Sequence, residues 1–483
     1  MNKTPIGPVV RTRMAPSPTG EYHVGHIATL LKNYAFAKRH GGQFVLRIED
    51  TDQERKVEGA VEKILGVIRA YGLGWDEGPE CDGPYAPYTQ SERLPIYKEH
   101  VQKLLTAQKA YYCFCSKDRL EKMREEQVKQ NKQPKYDGHC RHLSDTEVAE
   151  KLARGEEAVV RLKVPEGELV TFTDVIRGEI TIASDQVDDQ VLMKSDDFPT
   201  YHLAVVVDDN LMNITHVMRG EEWISSTPKH ILLYKAFGWQ CPIYAHIPIF
   251  LNPDGKGKMS KRKGTVAAQS FIDDGYLPEA LLNFFMILGW TPEDQREILS
   301  LEEYIKEFDP ADISAKSVVF DLDKLNWING QYIRALSPEV LEQKIKPFLP
   351  ADFPHEKLHE LLPLVFERLV KLKDIEELTE FFYRPISHDK ELLLKKSDAA
   401  TVCIELEETM THMQALEWNT PVLETEIRAL QEKHEWKKSQ YFMLLRVAVT
   451  GKTATPPLFD TLHCIGKKTV IERLHAALQL CRE

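Results

Sequence analysis

Two histidines, His23 and His26, stand three residues apart with Gly25 between them, just beyond a loop broken by Pro16, Pro18 and Gly20. Imidazoles at this spacing share one face at the start of a helix. A helix N-terminus carries partial positive charge and free N–H groups, which suit phosphate. Gly25 has no side chain, so a flat base can lie against the backbone there. Far downstream, Asn252 to Gly264 is a glycine-rich, strongly basic stretch containing Lys258, Lys261 and Arg262. Its glycines allow it to close over a triphosphate, and its cations act best where a leaving pyrophosphate gains negative charge. Each motif has a plainer reading. The histidines can be polar residues at a helix start, and a charge run is usually a solvated face.

The elements that must position these groups follow from periodicity. Val9 to Met14 reads as a strand, Val24 to His40 as a helix ended by Gly41-Gly42, and Gln43 to Ile48 as a second strand. This is a βαβ unit, which sets the helix N-terminus at the carboxyl end of a parallel strand. Thr171 to Ile182 and Gln190 to Lys194 read as short strands, Tyr201 to Val207 as a β-rich run, Ile231 to Phe237 as a helix and Tyr244 to Phe250 as a strand. After Gly275 the pattern is helical, with amphipathic stretches at Glu302–Phe308, Val340–Phe348, Leu358–Leu378, Ala399–Leu416, Glu424–Lys433 and Lys468–Leu480. The fold class expected is an α/β N-terminal half, a Rossmann-like doubly wound parallel sheet with an inserted α+β domain, followed by an all-α C-terminal half.

Cysteine usage is uneven. Five cysteines are scattered, but Cys113-x-Cys115 is followed 24 residues later by Cys140-x-His142. Two close pairs separated by a loop suit a tetrahedral zinc site of Cys113, Cys115, Cys140 and His142. The intervening stretch, Ser116 to Gln133, is highly charged and helical in pattern, so a metal could supply stability that apolar burial does not.

The segments Arg13-Met-Ala-Pro-Ser-Pro-Thr-Gly-Glu-Tyr-His-Val-Gly-His26 and Lys258-Met-Ser-Lys-Arg262 together resemble the signatures of class I aminoacyl-tRNA synthetases. Further stretches narrow the resemblance to the glutamyl-tRNA synthetases of bacterial type: Ile48–Asp52, Tyr136–Arg141, Pro199–Leu203, His216–Glu222, Gly275–Leu282 and Arg446–Phe459. Two departures are small: Val24 stands where the family tetrad often has Ile, and Arg262 where many class I enzymes have Ser. The resemblance implies that glutamate is activated by ATP with Mg²⁺ to glutamyl-adenylate and then passed to the terminal ribose of tRNA(Glu). It implies roles for His23, His26, Lys258 and Lys261 in charge stabilisation, with Gly25, Met259, Ser260 and Arg262 completing the ATP site. It also offers Tyr136, and more weakly His139, as rival fourth zinc ligands.

The glutamate pocket needs an arginine fork for the side-chain carboxylate and an acid for the ammonium. By resemblance, Arg13 holds the side-chain carboxylate and Arg219 sits nearby and holds the α-carboxylate or shares the first duty. Ser17, Glu49, Tyr201 and Trp223 fall on the family's other pocket positions, with Glu49 the ammonium partner. Val205 falls where some members have Asn. The plainer readings are structural ion pairs for the arginines and, for Glu49, pairing with Arg47. Glutamine would leave a buried arginine without its counter-charge, at about 2–5 kcal/mol.

At 483 residues the chain should hold several domains. The expected plan is residues 1–98 and 196–250 for the nucleotide fold, 99–195 for an insertion gripping the acceptor end, 251–336 for the basic loop and a stem contact, and 337–483 for anticodon reading. The net charge of −12 asks that Lys and Arg concentrate on one face to meet RNA. No apolar run reaches membrane-spanning length and no signal-peptide core opens the chain, so a cytoplasmic, monomeric enzyme is expected. Alternatives in view are a short paralogue that glutamylates a tRNA base, against which the chain length argues, and a non-discriminating enzyme that also charges tRNA(Gln).

Overall fold

The computed structural model describes residues 9–259, 267–395 and 397–483. Ser260, Lys261 and Arg262 therefore lie outside the described residues. The chain divides into two compact units, one running to Ile272 and resuming over Pro278–Leu325, the other made of Asp273–Leu277 and Asn326–Glu483. The division falls inside the helix Leu322–Arg334, upstream of the 336–337 boundary read from the sequence.

In the first unit, strand Arg11–Met14 pairs in parallel with strand Gln43–Leu46, Arg13 opposite Val45. The helix Val24–Arg39 crosses between them and buries Val24, Ile27, Leu30, Leu31, Ala35 and Phe36, the face its spacing marks out. Gly41, at φ +61°, ends it in the left-handed region that glycine enters without strain. Two polar groups fix this helix to the sheet. Thr12 Oγ1 donates to Asn33 O at 2.8 Å, and Asn33 Nδ2 donates to Met218 O at 3.1 Å.

The sheet continues through the second half of the nucleotide fold. Thr215 N donates to Arg11 O at 2.9 Å and leads into strand His216–Gly220, which pairs in parallel with Ile243–Ile247. On the other side Leu46 N and Ile48 N donate to Glu77 O and Tyr88 O, both at 2.9 Å. The carboxyl ends of these parallel strands open together, which is where such sheets bind ligands.

Two expectations change here. Tyr201 to Val207 is not a strand but the start of helix Tyr201–Leu211. Leu203 through Val207 are all buried, and an apolar run of that length does not distinguish a buried strand from a buried helix. The strands read inside the insertion also part company. Leu169–Asp174 and Gly178–Ala183 form a hairpin whose first strand meets Ile243–Ile247 at Asp174 and Tyr244, so it extends the nucleotide sheet. The insertion proper is the antiparallel sheet Ala110–Cys113, Val159–Leu162 and Val191–Met193, with helices Lys117–Lys129 and Asp145–Ala153. Helix Lys117–Lys129 buries no residue, in keeping with its charged sequence.

The second unit is helical. The stretch Leu358–Leu378 is broken rather than continuous. Helix Leu358–Val365 contains Pro363, and a new helix, Ile375–Tyr383, begins after Asp374 accepts from Lys371 N at 2.7 Å. Between them Leu372 N donates to Gly275 O at 2.9 Å, a pairing that a continuous helix would forbid. Arg473, on helix Lys467–Arg482, is buried and donates to Phe381 O, Val449 O and Arg384 O at 2.8, 2.7 and 3.0 Å. These are carbonyls at the ends of two helices, Ile375–Tyr383 and Lys438–Thr450, which lack partners inside their own helix.

Candidate active site

A cleft of about 1120 Å³ lies at the carboxyl ends of the parallel strands. Arg13, Ser17, His23, Gly25, His26, Glu49, Tyr201, Arg219, Trp223, Lys258 and Met259 all line it. Residues from positions 13 to 259 thus meet in one place, because strands Arg11–Met14 and His216–Gly220 end side by side there.

The two histidines begin the first helix as a reciprocal cap. His23 Nδ1 accepts from Gly25 N at 3.0 Å, and His23 N donates to His26 Nδ1 at a long 3.5 Å. An accepting Nδ1 places the ring proton on Nε2, so both rings offer a neutral donor. The cleft walls desolvate His26 and lower its pKa, Lys258 adding to this against Glu222. Helix and histidines together make a donor-rich end suited to phosphate oxygens.

The start of the basic loop folds back on itself. Met259 N donates to Phe250 O at 2.8 Å, and the buried Asn252 takes Lys256 O at 2.7 Å and Gly257 O at 3.2 Å. Lys258 Nζ reaches Glu222 Oε1 at 3.2 Å. A side chain at Gly220 would overlap the Glu222 carboxylate, so that strand end needs glycine.

The cleft floor is an ion network. Asp209 accepts from Arg13 Nε at 3.2 Å and lies 2.9 Å from Arg47 Nη2, which also reaches Glu49 Oε1 at 3.0 Å. Asp208 takes Arg93 Nε and Tyr97 OH, both at 2.8 Å, and lies 3.6 Å from Arg47 Nε. Burial opposes ionisation of Asp209, and Arg13 with Arg47 outweighs it, so its carboxyl titrates below the usual range. At Glu49 burial wins over Arg47 and Arg13, and the carboxyl titrates above its usual range. Glu49 therefore both pairs with Arg47 and faces the cleft, joining the two readings of its role.

Arg219 differs from its neighbours. It is buried, and its partners are His246 Nε2 at 3.1 Å, His230 Nδ1 at 3.2 Å, Thr227 Oγ1 at 2.9 Å and Tyr201 OH at 3.4 Å. Arg13, Arg47 and Arg93 are matched by Glu49, Asp208 and Asp209, whereas no carboxylate among the described residues pairs with Arg219. The floor thus offers a carboxylate ligand one uncompensated guanidinium. Asp209, His230 and His246 were not singled out in the sequence. His246 is the register partner of Arg219 on the adjacent parallel strand, a signal that needs the strand pairing first.

In the insertion, the Sγ atoms of Cys113, Cys115 and Cys140 lie within 4.8 Å of one another. Tyr136 OH stands 3.3 Å from Cys113 Sγ and 3.5 Å from Cys115 Sγ. His142, the first choice for the fourth ligand, is exposed and outside this group, as is His139. The reason lies next door: Arg141 turns inward to Asp189 Oδ2 and Val164 O, both at 2.6 Å, and carries His142 outward. Three sulfurs and a phenol in this compass are a donor set that zinc accepts. No helix among the described residues is long and apolar enough to cross a membrane.

Comparison with known proteins agrees with this geometry. The family profile "tRNA synthetases class I (E and Q), catalytic domain" matches residues 9–327, and "Anticodon binding domain" matches residues 340–478. The chain is 44% identical over 480 residues to the glutamate–tRNA ligase of Dehalococcoides mccartyi strain CBDB1, covering 97% of each. It is 41% identical over 486 residues to that of Clostridioides difficile strain 630, covering 96% of this chain and 98% of the relative. The crystal structure of a glutamate tRNA ligase from Elizabethkingia meningosepticum, in complex with its amino acid, superposes with a TM-score of 0.86 at 36% identity, covering 97% and 99% of the two chains.

Proposed function

The chain belongs to the class I tRNA synthetases of the E and Q group, and on that premise we infer that it works as an ATP-dependent glutamate–tRNA ligase. L-Glutamate and ATP, bound with Mg²⁺, give glutamyl-adenylate and pyrophosphate. The terminal ribose hydroxyl of tRNA(Glu) then attacks the activated carbonyl and AMP leaves. Neither step needs a protein nucleophile. The protein's contribution is placement and charge stabilisation.

Within that scheme the side chains divide the work. His23, His26 and Lys258, with Lys261 from the loop, meet the phosphate charge. Gly25 and Met259 seat the adenosine. Arg13 and Arg219 take the two carboxylates of glutamate, Glu49 takes its ammonium, and Ser17, Tyr201 and Trp223 close the pocket. The helices matched by the anticodon-binding profile take the anticodon, and the insertion takes the acceptor end. Cys113, Cys115, Cys140 and Tyr136 would hold a zinc ion, which would serve the insertion's stability rather than the chemistry.

The observation that carries this reading is the convergence of both histidines, Lys258 and the two arginines on one cleft. The test is pyrophosphate exchange into ATP with glutamate, glutamine or aspartate, each with and without tRNA. Glutamate-dependent exchange that requires tRNA is expected. Exchange with glutamate in the absence of tRNA would favour a tRNA-base glutamylating activity, and exchange with glutamine would overturn the pocket assignment.

A further inference from the structure

Arg219 is 6% exposed, and the groups around it can be assigned protons without ambiguity. A guanidinium stays charged and only donates, so every group at hydrogen-bond distance from it must accept. His246 Nε2, 3.1 Å from Arg219 Nε, is therefore bare, and the proton sits on Nδ1, 2.7 Å from Asp174 Oδ2. His230 Nδ1, 3.2 Å from Arg219 Nη1, is bare as well, so His230 Nε2 carries the proton and donates to His202 Nδ1 at 3.0 Å. Burial lowers the pKa of all three histidines, that of His202 to about 3, in keeping with neutral rings.

The consequence is a contrast inside one cleft. Arg13 is held by a carboxylate, Asp209, which already cancels much of its field. Arg219 is held just as firmly, but by neutral acceptors that orient the fork without cancelling its charge. We propose that His230 and His246 are positioning residues that set the acid-over-amide specificity of the substrate pocket, by holding Arg219 with neutral acceptors so that its full charge falls to the substrate carboxylate. An amide in the same place would leave a buried guanidinium uncompensated. The inference rests on the assignment of Arg219 to the glutamate pocket made above.

The test exchanges His230 for two near-isosteric residues that differ in charge. Asn places a neutral oxygen close to the position of His Nδ1, and Asp places an anion there. Aminoacylation is measured with glutamate and glutamine, with the ATP KM and thermal melting as checks on the fold. His230→Asn should raise the glutamate KM no more than about threefold. His230→Asp should raise it about thirtyfold or more while kcat changes far less, and should shrink the preference for glutamate over glutamine by a similar factor. Equal effects of Asn and Asp would reduce His230 to a packing residue and overturn the proposal. Should both variants fail to fold, ¹⁵N imidazole shifts of the unaltered protein at pH 7 decide the matter. A neutral His230 protonated on Nε2 and a neutral His246 protonated on Nδ1 support the proposal, and a cationic ring or the opposite tautomer at either position refutes it. If the unaltered protein fails to charge tRNA with glutamate, the functional reading falls instead, a result distinguishable from either of these.

Discussion

Lys258 Nζ lies 3.2 Å from Glu222 Oε1 across the mouth of the cleft, with both side chains about half exposed. The basic loop thus rests one of its cations against a carboxylate at the edge of the phosphate site. Pairs this exposed are worth about 0–1 kcal/mol, so an arriving triphosphate can displace Glu222. Glu222→Gln should lower the ATP KM by up to about fivefold. A raised ATP KM would show that Glu222 supports nucleotide binding directly.

Lys261 lies outside the described residues, and its role rests on the signature it belongs to. Lys261→Ala should slow adenylate formation by about 100-fold or more while leaving the glutamate KM within about threefold. Single-turnover exchange separates the two. A loss confined to glutamate binding would reassign the residue to the amino-acid pocket.

The zinc site makes a paired prediction. The purified protein should carry about one zinc per chain, Tyr136→Phe should release it more readily to a chelator, and His142→Ala should keep it. Metal content after dialysis checks all three. Release from the His142 variant alone would restore the histidine as ligand.

Lys32 is fully buried, with Nζ 3.1 Å from Phe285 O near the carboxyl end of helix Pro278–Ile287. Burial pushes its pKa down to about 7. An unfolded chain keeps that proton up to about pH 10.4. Between these values the unfolded state binds more protons than the folded one, so the contribution of Lys32 to stability rises with pH. Below pH 7 both states are protonated and the full cost of the buried charge remains. The melting temperature of the parent relative to Lys32→Met should therefore climb from pH 7 to pH 9.5. Parallel profiles would mean that the ammonium keeps its proton in the fold.

Arg473 ties three helix-end carbonyls with no carboxylate in the bond. Arg473→Met should leave those carbonyls unpaired and destabilise the C-terminal unit by about 3 kcal/mol or more. Chemical denaturation followed within that unit measures it. A change under 1 kcal/mol, roughly one ordinary hydrogen bond, would mean that water replaces the fork.

What could be read before folding was what is local along the chain. The strand, loop and helix around His23 and His26 follow from a Pro/Gly-broken loop, a helical apolar stripe and a glycine stop, all within a few turns. The close pair Cys113 and Cys115 with a distant Cys140 named three metal ligands by spacing alone. The second signature was legible because its glycines and lysines are contiguous.

The tertiary structure decided whatever depends on burial and on contacts distant in sequence. Tyr201–Leu211 is a helix because both its surroundings are core, a fact no alternation pattern in Leu203–Val207 carries. Tyr136 rather than His142 faces the sulfurs because Arg141 is drawn inward by Asp189. The charge left on Arg219 depends on His230, His246 and Asp174, which reach it from a separate helix and two other strands. Local sequence named the groups that could do the chemistry. Long-range packing chose their partners, because hydrogen-bond geometry and desolvation act through space and not along the chain.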